Sequence, residues 1–233
     1  MDINRSISFI FNDQEWLKKL AIAGLVALIP IVGIFVLMGW GLEITRKVVK
    51  GEAETLPNIE FGEMMGSGFK LFVVQILYSL PVLLLLGCGL SIMLATSMGA
   101  ATNEEMLNQI MAGSGAVVYL CTICLVIPLS IFVGLCGKAA YGILADTGEI
   151  GAALKFGTVF GIVKKGLGKY IIALLVVALA SSILSPIGTL LCGVGALFTS
   201  AFIIAFDAHL TGQIYHFAKP DSSISAPGTV EIL

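Results

Sequence analysis

The chain alternates between long apolar blocks and shorter segments that carry its charge. Apolar stretches cover residues 20–42, 71–98, 116–135 and 170–206. A helix needs about 20 apolar residues to cross the hydrocarbon of a bilayer. All four stretches reach that length, and the last is long enough for two crossings.

The segment before the first block has a helical period. Over residues 2–16, Ile3, Ile7, Ile10 and Phe11 fall on one face, while Asn4, Arg5, Asn12 and Glu15 lie away from it. Asp2 or Asn4 suits the N-cap. Trp16 at the far end suits a helix lying in the membrane interface. The block at 20–42 is broken by Ile29-Pro30-Ile31-Val32-Gly33. It is either one kinked span or a re-entrant hairpin that turns at mid-membrane. Basic residues flank both ends, with Trp16 and Trp40 one at each end. A single span would place Arg5, Lys18 and Lys19 outside, against the positive-inside tendency, so the hairpin is favoured. Its turn would have to be covered by protein, because bare backbone is costly at that depth.

The remaining pattern predicts a simple order of elements. Residues 45–70 form a cytoplasmic loop with a short helix from Asn58. Residues 71–98 span the membrane, with Pro81 inside the span. Residues 99–115 form an acidic external loop, and 116–135 return, bent at Pro128. Residues 137–169 form a second cytoplasmic loop and 170–184 cross again. Ser185-Pro186-Ile187-Gly188 turns the chain, 189–208 come back, and 211–233 are a cytoplasmic tail with a Pro/Ser-rich, disordered end. The expected fold is all-α: a polytopic helical bundle in one membrane domain, residues 1–233. It has four full spans plus the N-terminal re-entrant hairpin or kinked span, with amphipathic interfacial helices.

Charge orients this picture. All 13 Lys and Arg residues lie outside the apolar stretches, and none falls between Leu71 and Gly137. Both Lys-bearing loops and both termini are thereby expected on the cytoplasmic side. Only 12% of the residues are charged, against about 25% in soluble domains. The net charge of -2, with no basic face interleaved with aromatics, argues against nucleic-acid binding. No cleavable signal peptide is evident.

The chemistry is sparse. Five cysteines, Cys88, Cys121, Cys124, Cys136 and Cys192, lie in or beside apolar blocks and read as small packing residues. Cys121 and Cys124 form a C-x-x-C, but within a membrane helix. With His209 and His216 alone, no metal site is expected. No nucleophile–base pair, phosphate loop or carboxylate dyad appears, so neither an enzyme nor a cofactor is expected. Ionisable groups near spans remain functional candidates. These are Glu43, Lys138, Asp207 and His209, expected to converge as an ion or proton site or as a structural ion-pair cluster. Gln75, Tyr78, Ser79, Tyr119, Thr122 and Ser130 are expected to form a polar seam or inter-helical hydrogen bonds.

One pattern recurs. Phe61-Gly62-x3-Gly66-x3-Lys70 and Phe156-Gly157-x3-Gly161-x3-Lys165 share their spacing, and Gly51-Glu52 and Gly148-Glu149 precede them. Phe9, nine residues before Lys18, marks a degraded third copy. Phe and its two glycines share a helix face, so the glycines are expected to admit a neighbouring backbone. The chain then comprises three units, each a cytoplasmic helix followed by a membrane hairpin.

Trp16…Lys18, the Ile29–Gly33 turn, Gly39-x-Gly41, Arg46…Gly51, Leu56-Pro57 and Gly62-x3-Gly66 resemble an uncharacterised prokaryotic family. It is domain-of-unknown-function family four thousand and thirteen, and the likeness is strongest over residues 9–81. The resemblance implies an integral protein of a prokaryotic cytoplasmic membrane and implies no activity. The expected function is non-enzymatic: an accessory or scaffold component packing against partner membrane proteins or shaping the bilayer. The alternative is a small oligomeric transporter or channel. The expected partners are membrane lipids and a membrane protein or a second copy of the chain.

Overall fold

The computed structural model of the protein describes residues 2–52, 55–99, 105–190 and 194–219. Every regular element among them is a helix. They are α1 (Ile3–Phe11), α2 (Trp16–Ala27), α3 (Val32–Lys50), α4 (Phe61–Gly99), α5 (Glu105–Thr147), α6 (Ile150–Ala153), α7 (Phe156–Leu190) and α8 (Val194–Ala218). Four segments, Phe61–Ile92, Val117–Thr147, Phe156–Leu190 and Gly195–Ala218, are long and apolar enough to cross a membrane. The chain is an all-α, multi-span membrane protein.

Several boundaries differ from those the apolar pattern predicts. The first helix stops at Phe11 and does not run to residue 16. The Asp13 carboxylate accepts the Glu15 backbone N–H at 2.8 Å, a side-chain turn typical of Asx residues. Trp16 therefore opens α2. Much of the expected loop at 45–70 is helix, because α3 continues to Lys50 and α4 starts at Phe61. Likewise α5 runs on to Thr147 and α8 to Ala218. These extensions bury residues such as Val49, Met64, Leu144 and Ile214, and tertiary burial stabilises helix where the polar pattern suggests loop.

The expected turn at Ser185–Gly188 is helical, and α7 passes through Pro186 to Leu190. The Thr189 hydroxyl donates to the Pro186 carbonyl at 2.8 Å. Pro81 and Pro128 also lie inside helices. Residues 100–104, in the expected external loop, and the tail beyond 219 lie outside the described residues.

The chain breaks between α2 and α3 at Pro30. The Pro30 carbonyl accepts the Val32 N–H at 2.8 Å, and Ile31 between them has φ 68° and ψ -62°. This is the γ-turn of the less common, strained hand. Gly51 and Gly148, at φ 77° and 72°, end α3 and α5 in a conformation that costs glycine little. Each thus stands just before the segment that leads to a Phe-Gly helix start, at Phe61 or Phe156.

Packing is concentrated at one end of the long helices. On α4 the buried positions cluster between Met64 and Tyr78, on α5 between Leu135 and Ala145, and on α7 between Val159 and Ala173. Helix α3 lies at the centre and touches α2, α4, α5 and α8, while α8 touches α1, α2, α3, α5 and α7. Where α3 crosses α4, a Cβ on Gly39 would run into the Met64 carbonyl, and one on Gly68 into the Phe35 carbonyl. The two backbones touch there. Beyond this core, α4 and α5 project as an apolar pair. Of the described side chains from Ser79 to Ile92 and from Val117 to Gly134, only Gly89 is buried.

Candidate functional site

Four residues nominated by sequence separate into three places. Lys138 of α5 and Asp207 of α8 form an ion pair, with side-chain exposures of 25% and 30%. Glu43 is not part of it. Its carboxylate binds Arg46 of its own helix at 2.8 Å, and the Arg46 Nε donates to the Ala145 carbonyl at 3.2 Å. His209 is buried elsewhere. Its ring lies 4.6 Å from that of Phe9, centre to centre, and its Nδ1 lies 2.9 Å from the Ser6 hydroxyl.

Helix geometry explains the separation. Successive residues turn by about 100° around the axis. Asp207 and His209, two apart, therefore face nearly opposite ways. The same holds for Ile34 and Glu43, nine apart on α3. Asp207 turns toward α5, whereas His209 turns toward α1 and anchors it. There Gln213 assists, donating to the Ser6 hydroxyl at 3.0 Å and accepting the Asp2 N–H at 2.6 Å.

The Lys138–Asp207 pair borders a cavity of about 470 Å³. One face of each surrounding helix lines it: Ile34, Leu37 and Met38 of α3, and Leu71 and Gln75 of α4. Gly134, Gly137, Lys138 and Tyr141 come from α5, Leu174 from α7, and Ile204 and Asp207 from α8. The α5 set has spacing i, i+3, i+4, i+7, one stripe of a helix. Gln75 was expected in a seam between spans. It lies against Gly137, where a Cβ would sit 3.3 Å from its Oε1.

The rest of that seam does not form. Ser79, Thr122 and Ser130 donate to the carbonyls of Ile76, Val118 and Ile127 on their own helices. Tyr119 is exposed. Tyr78 alone of the set reaches across, donating to the Ala153 carbonyl at 2.9 Å. In a bilayer a hydroxyl bonded within its own helix needs no partner on another.

A second polar cluster escaped sequence reasoning. Asp13 accepts from the Lys19 ammonium at 2.7 Å and from the Leu56 N–H at 3.0 Å. Lys19 also donates to the Leu56 carbonyl at 2.7 Å, and the Trp40 indole N–H donates to the Pro57 carbonyl at 3.0 Å. Burial alone would raise the Asp13 carboxyl. Lys19 and the backbone N–H groups of Glu15 and Leu56 outweigh it and hold the carboxyl below its ordinary value. The start of α2 and the middle of α3 are thus pinned to one loop. The available signal was the Asn12-Asp13 turn pair and a tryptophan whose N–H must find an acceptor.

The repeat glycines contradict their expected role inside the chain. Nothing lies within 4 Å of a Cβ built on Gly62, Gly66, Gly157 or Gly161. Phe61, Phe69, Phe156 and Phe160 beside them are exposed. Of the Lys residues that end the two copies, Lys70 donates to the Gly148 carbonyl at 3.1 Å, and Lys165 to that of Lys219 at 3.3 Å. Close approach falls on other glycines, because these four face away from the neighbouring helices. The cysteines divide too: Cys136 is buried, whereas Cys88, Cys121 and Cys124 are exposed and unbridged. Among the described residues no cluster of three or more His, Cys, Asp or Glu could hold a metal.

Residues 22–193 match the family model described as "Protein of unknown function (DUF4013)". The chain belongs to the DUF4013 family. No curated protein and no solved structure matches this DUF4013 chain. The family's description names no function, so the chemistry of the DUF4013 site rests on the residues above.

Proposed function

We propose that this protein is a non-enzymatic accessory component of a prokaryotic cytoplasmic membrane, which packs against a membrane partner or a second copy through the starts of α4 and α7. The observation that carries this reading is two open stretches, Gly62 and Gly66 on α4 and Gly157 and Gly161 on α7, where a Cβ would meet no described residue, with exposed phenylalanines beside them. Small residues at this spacing let helices approach closely in a bilayer, where packing drives association. The Gly-Glu and Phe-Gly patterns fall at equivalent points of two hairpins, which supports reading them as an internal repeat.

In this reading the packed, Lys-bearing end and both termini face the cytoplasm, as the distribution of basic residues favours. The α2–α3 hairpin is re-entrant. Its first arm has 12 residues, about 18 Å of helix, too short for about 30 Å of hydrocarbon. Leu25, Leu28, Ile31 and Ile34 around its tip are exposed. Helix α1, apolar on one face, lies at the interface.

The test exploits the open space at the glycines. Gly62→Leu with Gly66→Leu should leave the melting temperature unchanged and remove cross-linked neighbours from native membranes, read by mass spectrometry. Retention of the same neighbours would reject the packing role. A cysteine at position 4 tests topology, and labelling from outside sealed cells rejects the re-entrant hairpin.

A transport reading draws on the cavity with Lys138 and Asp207. Its mostly apolar walls weigh against a hydrated path, which needs polar lining to the midplane. Proteoliposome flux abolished by Asp207→Asn would reverse that preference.

A further inference from the structure

The cavity between α3, α4, α5, α7 and α8 is a pocket partly open to its surroundings, so a membrane molecule could enter it. Its volume of about 470 Å³ falls in the range of roughly 300–1,000 Å³ typical of small-molecule sites. Leu37, Leu71, Leu174 and Ile204 make its walls apolar, and its polar lining comes from Gln75, Lys138, Tyr141 and Asp207.

Those polar groups define the head of an occupant. An ammonium carries three N–H donors, and Asp207 is the one hydrogen-bond partner of Lys138 among the described residues. The Asp207 carboxylate keeps free lone pairs. The Gln75 amide lines the same cavity and has no hydrogen-bond partner among the described residues. The ion pair has no net charge. An anionic head would meet Asp207 and a cationic one Lys138, whereas an uncharged hydroxyl both donates and accepts.

We infer that this cavity binds a neutral, hydroxyl-headed membrane amphiphile such as a diacylglycerol, with its chain against the apolar walls and its hydroxyl at Lys138, Asp207 and Gln75. The site is separate from the open glycine stretches of α4 and α7, so either assignment stands or falls without the other. It also gives the Lys138–Asp207 pair a role that needs no charge to move across the membrane.

The experiment uses the full chain in phosphatidylcholine vesicles and a diacylglycerol bearing a diazirine at its chain end. Photolabelling is mapped by mass spectrometry. Adducts are expected on Leu71, Leu174 and Ile204. Gly134→Phe should reduce them about tenfold, the equivalent of a modest loss of binding free energy. Gly134 lines the cavity, and a Cβ there meets nothing within 4 Å, so this variant should fold, with its melting temperature as the check. Gln75→Leu should weaken labelling by the hydroxyl probe but not by its acetylated form. Labelling spread over exposed Leu84 and Leu179, unaffected by Gly134→Phe, would overturn the site. Competition by phosphatidic acid but not by unlabelled diacylglycerol would overturn the neutral head.

Discussion

The two ends of the long helices follow different packing rules. At one end α3, α4, α5, α7 and α8 interlock, glycine backbones touch, and polar side chains find partners. At the other, α4 and α5 lean on each other and present leucines outward. The contrast recurs between helices. The most apolar windows of α5 and α7 are 6% and 11% buried, whereas that of α8 is 50% buried. Yet α8 has the lowest mean hydropathy of the four, 1.2 against 2.3 to 2.5. Among these four spans the most interior is the least apolar. Lipid demands apolar side chains, while a protein interior can satisfy Asp207, His209, Thr211 and Gln213. Apolarity along this sequence therefore reports contact with lipid more than burial in protein.

The largest expected effect is at the α3–α4 crossing. Gly39→Ala forces a methyl group into the Met64 carbonyl and should cost about 3 kcal/mol or more, read as a lowered melting temperature in detergent. A wild-type melt would mean that the helices can separate freely, and the contrast between the ends would fail.

Next comes Asp13, whose side chain is 5% exposed. Asp13→Asn leaves the Lys19 charge without its partner and should cost about 3 kcal/mol. The wild type should also depend on pH in one direction. Its folded carboxyl titrates below the unfolded value, so the contribution is complete above about pH 3.9. It disappears as pH falls through the depressed folded value. The Asn variant should lack this component of the acid profile, and an unchanged profile would show that the cluster contributes nothing.

The smallest effect belongs to the projecting arms. Leu84→Ala removes a side chain that is 66% exposed and should alter stability by no more than about 0.5 kcal/mol. A substantial loss would show that the arm is covered by protein in the assembled state, which would extend the proposed partner surface onto it.

Much of the architecture was legible along the chain. The four apolar segments, the break at Pro30 and the family likeness all follow from local composition. Helix ends were less legible, because Val49, Met64 and Ile214 gain helix stability from distant neighbours. Glu43, Lys138, Asp207 and His209 looked equivalent by their place near span ends. Two residues of offset on α8 send Asp207 and His209 to opposite faces, and only the placement of α1 and α5 says what each face meets. The repeat glycines were visible as a pattern, but other glycines, Gly39 and Gly68 among them, admit a backbone. That distinction depends on which side of α4 faces α3.

The sequence by itself determined that this protein lives in a membrane, that its chain holds several segments apolar enough to cross it, and where its charge gathers. Those properties depend on residue type and short-range period, and each segment carries them alone. The tertiary structure decided that Lys138 meets Asp207, that Glu43 turns to Arg46, that Asp13 pins the first hairpin, and that a cavity remains among five helices. Those depend on helix rotation and crossing, which arise only when several faces must be packed at once.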